Sequence, residues 1–282
     1  MSIWQVNESC ATAPLSISDR ADSTSPQEIA VKVVSKLDVA PGVQVWYVPH
    51  DTTASYEAAC STLTDADRAE FASIRHLPVR RQSLKTRAVL RRALSQAVDE
   101  QTAPHEWQFR RTEDGKPLLY PNSYNLTFSC SHTPWASVIA VSSAGEIGVD
   151  IAEAAFPSSP EWISDVLSQE ERSAFNELPE CERGNVLSRL WTLKEAYVKL
   201  LGIGIAAPTA VAFDFRNNRL ISEHCHRMIA TPDFRTWIVN SQGRRLSVAL
   251  AVSGCSSDGV PSRRRPGGQT RVISAFQLAS AC

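Results

Sequence analysis

Two carboxylates in the second half of the chain stand where regular backbone would hold them for chemistry. Asp150 lies in "GEIGVDIAEA" between Val149 and Ile151, so on a strand its side chain projects to the face opposite those two apolar neighbours. Glu195 lies in "WTLKEAYVKLLG", four residues before Lys199. A Glu and a Lys at that spacing make an exposed ion pair worth about a few tenths of a kcal/mol. Trp191 one turn before Glu195 and Val198 three residues after it, however, are not what a purely solvated face selects. Asp150 alone reads equally well as a strand-end turn cap. Together the two residues would offer the oxygen ligands that Mg²⁺ prefers, with waters and a substrate phosphate completing the octahedron.

Cations that could meet such a phosphate are present. Between Phe71 and Val98 there is no acidic residue, while Arg75, Arg80, Arg81, Lys85, Arg87, Arg91 and Arg92 supply seven positive charges. Arg91 and Arg92 read as a solvated helix face. Arg87 shares its face with Leu90 and Leu94, so its guanidinium interrupts an apolar stripe and needs an anion, either a phosphate or a protein carboxylate. Lys116 in "DGKP" sits on a turn fixed by Gly115 and Pro117. Ser131 and His132 end "NLTFSCSH"; with no G-x-S-x-G elbow for a serine nucleophile, His132 reads as a hydrogen-bond donor to phosphate or a structural histidine. "HCH" at 224–226 lacks a second ligand pair for zinc, and neither a P-loop nor a dinucleotide fingerprint occurs.

The elements that must position these residues follow from periodicity. Val186, Leu190, Leu193, Tyr197 and Leu200 form one apolar stripe of a helix that Gly202 ends. "GVQVWYVPHD" alternates as a first strand. "LTDADRAEFASI" is a helix capped by Thr64, and a longer helix begins near Pro78. "WQFRRTEDGKPLL" predicts a strand and turn and "YNLTFSCSH" another strand. "WASVIAVSSAGEIGVDIA" predicts a pair of strands joined by Ser-Ala-Gly-Glu. Helices over "SPEWISDVLSQEERSAF" and "ERGNVLSRLWTLKEAYVKLLG" precede strands over "AVAFDF", "TWIVNS" and "LSVALAVS". The reading is an α/β (α+β) chain divided into an N-terminal extension over 1–40, halves over 41–140 and 141–255, and a Pro, Gly and Arg-rich tail over 256–282.

Composition narrows the function classes. With 29 basic and 30 acidic residues the net charge is −1, which gives no global case for nucleic acid or an acidic membrane. Seven scattered cysteines without CxxC spacing fit free thiols in the cytoplasm. No stretch approaches the roughly 18 consecutive apolar residues of a membrane helix.

In order along the chain, "DGKP", "NLTFSCSH", "GVDIAEA" and "RLWTLKEAYVKLLGIGI" resemble the motifs of the 4′-phosphopantetheinyl transferases of the Sfp type. The last resembles the W-x-x-K-E-x-x-x-K signature at Trp191, Lys194, Glu195 and Lys199, and the likeness spans about residues 43–255. It implies a monomeric pseudo-dimer of two similar α/β halves, each a small, mostly antiparallel sheet packed with helices, with coenzyme A and Mg²⁺ in the cleft between them. It implies transfer of phosphopantetheine from coenzyme A to a serine of an acyl or peptidyl carrier protein, with neither nucleic acid nor membrane as partner. By position, Asp150 and Glu195 resemble the metal-binding carboxylates, and Lys199 and Lys116 the lysines that contact the pyrophosphate. Ser131 and His132 resemble the pair near the 3′-phosphate, and Arg87 and Arg68 stand where relatives carry basic residues for coenzyme A. Glu171 in "LSQEE" matches a helix-start glutamate, a supporting acid or base candidate. One departure stands out. The third metal carboxylate of many members is replaced by Ala152, and Glu153, one residue further, belongs to the other face of the strand. The alternative is a non-catalytic module that binds coenzyme A or a carrier, which would keep the basic residues but need no metal carboxylates.

Overall fold

The computed structural model describes residues 35–50, 60–154, 156–203, 208–223, 232–241 and 243–253. Strand β1 (Ser35–Ala40) pairs antiparallel with β2 (Val43–Pro49). Regular structure therefore begins inside the segment expected as an extension, where "EIAVKVVSKL" reads as a short helix or strand, and pairing with β2 makes Ser35–Ala40 a strand. Residues 1–34 and 254–282, and the "HCH" at 224–226, lie outside the described residues.

After β2 come helices α1 (Asp65–Ala72) and α2 (Leu77–Ala97). Thr64 caps α1 in a full capping box with Asp67, and α2 has Pro78 in its first turn, both as the sequence indicates. The short hairpin of β3 (Phe109–Arg111) and β4 (Pro117–Leu119) follows, then β5 (Thr127–His132), β6 (Ala136–Ser142) and β7 (Ile147–Glu153). Helices α3 (Pro160–Val166), α4 (Gln169–Asn176) and α5 (Glu180–Leu201) lead to β8 (Val211–Asp214), β9 (Arg219–Glu223), β10 (Asp233–Ser241) and β11 (Arg244–Val252).

Two antiparallel sheets dominate, one ordered β1-β2-β6-β5 and one ordered β10-β11-β7. Their period-two alternation sorts the side chains into three cores. Trp46, Val48, Ile139 and Val141 turn outward from the first sheet onto Ala88, Val89 and Leu94 of α2. Val43, Val45, Val138 and Ala140 turn the other way and meet Ile147, Val149, Ile151, Val248 and Leu250 between the sheets. Ala249 and Ala251 face outward from the second sheet onto Leu190, Leu193, Tyr197 and Leu200 of α5. The layers run helix, sheet, sheet, helix, a mixed α/β architecture of small antiparallel sheets. Each large apolar side chain buried in these layers contributes about 1.5–3 kcal/mol.

This layering corrects one expectation. β6 and β7 flank the Ser-Ala-Gly-Glu turn, yet they are not a hairpin, because β6 belongs to the first sheet and β7 to the second. Both strands are buried on both faces, so each can lie between layers, and the turn carries the chain across. The boundary at 140/141 accordingly falls inside β6, a strand wholly committed to the first sheet. Among the described residues no helix is long and apolar enough to cross a membrane.

Candidate active site

Gly148 is what lets a helix touch the second sheet so closely. A Cβ there would lie 1.9 Å from Ala196 O and 2.5 Å from Leu200 N, so α5 rests directly on the backbone of β7. Two residues along the strand, on the same face, Asp150 therefore meets the part of α5 that carries Glu195 and Lys199. The lysine Nζ donates to Asp150 Oδ1 at 2.6 Å. Ser131 Oγ, from the edge strand of the other sheet, donates to the same oxygen at 2.7 Å. Ser129 Oγ, two residues earlier, accepts the Val149 amide at 3.0 Å and holds edge strand β5 against β7. Strand, helix and second sheet thus converge on one carboxylate that is only 5% exposed.

Glu195 is half-buried on the same helix face. Burial first, and then the charge of Asp150, pushes its carboxyl above the usual range, with Lys199 acting in the opposite direction. A second carboxylate whose proton affinity is raised by the charge of Asp150 makes with it a site that favours a cation. Among the described residues no three His, Cys, Asp or Glu side chains cluster as a metal site, and the carboxylates brought together here are these two. That set suits a hard ion that keeps several waters, as Mg²⁺ does. Ala152 is buried, and Glu153 projects to the other face, where it accepts from Trp135 Nε1 at 3.0 Å and pairs with Arg244 at 3.1 Å. The side-chain flip expected from a one-residue shift is what β7 shows.

Beside the carboxylates opens a cavity of about 300 Å³, lined by Lys116, Phe128, Cys130, Glu195, Val198 and Lys199 among others. Val198 is the apolar residue that distinguished this helix face in the sequence. Lys116 donates from Nζ to Glu146 Oε2 at 2.6 Å and to Leu200 O at 3.0 Å. His132 is partly buried at the end of β5. Its imidazole is held below its usual range by burial and then by Lys199, with Asp150 opposing, so it favours the neutral form, which keeps one ring N–H to donate. Cys130 is no nucleophile: burial pushes its thiol up to about 12.

Three residues named from the sequence are not brought to this site. Arg87 finds its anion inside the protein, pairing with Asp67 at 2.8 Å and Glu70 at 2.9 Å while stacking on Phe109. The helix α1 brings these two acids against α2, Asp67 from its first turn and Glu70 from one turn further on. Arg91, expected on a solvated face, is 2% exposed and shares Asp67 at 2.7 Å. Arg68 is exposed on α1 and donates to Cys60 O at 3.1 Å. Glu171 is fully buried. Its Oε2 takes Lys194 Nζ at 2.6 Å and Ser168 N at 2.8 Å, and its Oε1 takes Phe213 N at 2.8 Å, which leaves no approach for a substrate acid or base. The sequence did carry a signal for this: Lys194 lies four residues after Leu190 and three before Tyr197, on the buried stripe, where a lysine needs a carboxylate.

Comparison with known proteins bears on this same region. Residues 146–251, which contain Asp150, Glu195 and Lys199, match the model of the 4′-phosphopantetheinyl transferase superfamily. The 4′-phosphopantetheinyl transferase HetI of Nostoc sp. is 27% identical over 168 residues, 58% of this chain and 70% of the relative. A phosphopantetheinyl transferase of Thraustochytrium sp. is 27% identical over 173 residues, 56% of this chain and 58% of the relative. The L-aminoadipate-semialdehyde dehydrogenase-phosphopantetheinyl transferase of Eremothecium gossypii is 32% identical over 168 residues, 57% of this chain and 59% of the relative. The chain thus spans less than two thirds of the length of the last two.

Proposed function

We propose that this chain is a 4′-phosphopantetheinyl transferase of the Sfp type, which moves the phosphopantetheine arm of coenzyme A onto a serine of an acyl or peptidyl carrier protein. The observation that carries the reading is a cavity lined by Glu195 and Lys199, with Asp150 paired to that lysine beside it, within the residues that match the superfamily. Asp150 and Glu195 would hold Mg²⁺, which when bound neutralises charge on the diphosphate of coenzyme A. Lys199 and Lys116 flank the same space and stabilise the charge that builds on the leaving phosphate, in the manner of fixed cations at phosphoryl transfer. His132, neutral and able to donate, serves the 3′-phosphate end. The carrier serine oxygen attacks the phosphorus nearest the pantetheine and the bond to the bridging oxygen breaks. Adenosine 3′,5′-bisphosphate leaves, and the serine proton passes to Glu195, which lines the cavity, or to a water beside it, with Glu171 the less favoured base.

The two sheets, each with one long helix, support a pseudo-dimer whose halves are joined by the turn between β6 and β7, working as a monomer. Scattered cysteines, with Cys60, Cys130 and Cys181 free among the described residues, support a cytoplasmic enzyme. The test is incubation with coenzyme A, Mg²⁺ and apo acyl or peptidyl carriers, followed by intact mass. The expected result is one phosphopantetheine added per carrier, abolished in Glu195→Ala. Binding of coenzyme A without any transfer would favour the non-catalytic module instead.

A further inference from the structure

Each of the two cavity lysines is paired with a carboxylate of its own chain, Lys199 with Asp150 and Lys116 with Glu146. The pairs differ in kind. Asp150 is buried and belongs to the carboxylate pair that favours a cation, whereas Glu146 is about half exposed and stands outside the cavity wall. Glu146 is nonetheless fixed in place: its amide donates to Ser253 Oγ at 3.0 Å and its carbonyl accepts from Ser253 N at 2.9 Å. Lys116 is fixed too. Its stem lies where Gly202 has no side chain, since a Cβ there would come 2.6 Å from Lys116 Cδ. Its ammonium is held between Glu146 and the Leu200 carbonyl in the last turn of α5, and its remaining N–H is left for the cavity.

We propose that Glu146 sets the affinity of this cavity for a polyanion, acting through Lys116 as a positioning residue. A carboxylate 2.6 Å from the ammonium cancels much of the field that the lysine would otherwise place on the diphosphate of coenzyme A. What Lys116 then supplies is a directed hydrogen bond more than a full positive charge. Binding stays correspondingly weaker, and release of the bisphosphate product easier. This inference rests on the function proposed above.

The test is direct titration of the whole chain with coenzyme A in Mg²⁺ and, separately, with inorganic pyrophosphate. Glu146→Gln keeps the shape and removes the charge, and is expected to tighten both ligands by about two- to fivefold, the range of a partly exposed ion pair. In a Lys116→Met background the same change is expected to have a clearly smaller effect, since only the direct repulsion of the polyanion by Glu146 is then left to remove. Glu153→Gln, which removes one negative charge from the opposite face of β7, is expected to leave both affinities unchanged. Unchanged or weaker binding in Glu146→Gln, or equal tightening in Glu153→Gln, would overturn the proposal while leaving the function intact. A wild-type chain that binds neither ligand would overturn the function and this inference with it.

Discussion

Lys199 reaches from helix α5 across to strand β7 and places its ammonium 2.6 Å from Asp150 Oδ1, the same oxygen that Ser131 reaches from the other sheet. The i, i+4 geometry of the helix suggested Glu195 as the partner of Lys199, but its distance contact is with the strand. Glu195 is thereby left as the second carboxylate of the pair, and Lys199 as a cation that a phosphate can claim from Asp150.

Replacing Lys199 should therefore have two separable effects. Lys199→Met leaves a nearly buried carboxylate with, among the described residues, Ser131 as its side-chain partner, and since the lysine is itself 31% exposed the expected loss is about 1–2 kcal/mol. Transfer to a carrier should fall by about a hundredfold or more, as when a fixed charge at a developing anion is removed. Urea denaturation and steady-state transfer on the same preparations check both. Lys199→Arg, which keeps the charge but alters its reach, is expected to recover stability more fully than rate.

The part of this site visible in the sequence was the part written in local periodicity. Asp150 opposite Val149 and Ile151, and Glu195 beside Val198, follow from the turn of a strand and of a helix, and the structure keeps those orientations. The distribution of strands between sheets was not legible, because β6 and β7 are buried on both faces and alternation cannot say which sheet such a strand joins. Pairing across long separations was hidden for the same reason. Nothing near Arg87 in sequence announces Asp67, twenty residues earlier, as its partner, and nothing near Lys116 announces Glu146.

Gly148 should tolerate no side chain. The expected position of a Cβ overlaps the backbone of α5 at Ala196 and Leu200, which cannot swing aside as a side-chain tip would. Gly148→Ala is expected to cost about 2–4 kcal/mol, within the range of overpacking at a close backbone contact. Because the helix must lift from β7, Lys199 should also lose its contact with Asp150, so activity per folded molecule should fall together with the denaturation midpoint. A variant as stable as wild type would show that the strand-to-helix contact is not close in solution.

Acid should weaken the fold through His50. Its Nε2 contacts Ser137 Oγ at 2.7 Å, and burial, followed by the charges of Lys85 and His132, lowers its pKa from 6.5 to about 4. Between those values the unfolded chain binds a proton that the folded chain refuses, so stability is present above the upper value and is lost as the pH falls toward the lower one. His132, lowered by burial and Lys199, acts in the same direction. His50→Gln, which retains a polar contact to Ser137 without a titrating ring, should lose less stability than wild type between pH 7 and pH 5. Parallel loss in the two proteins, followed by denaturant unfolding at each pH, would remove His50 from the acid response.

The buried pair of Lys194 and Glu171 offers a way to tell scaffold from chemistry in the segment next to Glu195. Both side chains are fully buried, and besides each other they satisfy Val166 O, Ser168 N and Phe213 N, so they tie α5 to the start of α4 and to β8. Lys194→Met strands a carboxylate in the core and is expected to cost about 3–5 kcal/mol. Combining it with Glu171→Gln removes the stranded charge while leaving an acceptor for Phe213 N, and should recover part of that loss, a coupling that unfolding of the two single variants and the double variant measures directly. If Glu171 acts only through the fold, the double variant, assayed under conditions where it is fully folded, should keep most of its transfer rate per molecule. A large fall in rate with stability restored would instead return Glu171 to the chemistry, and would require a route from substrate to a carboxylate that the folded chain encloses on every side.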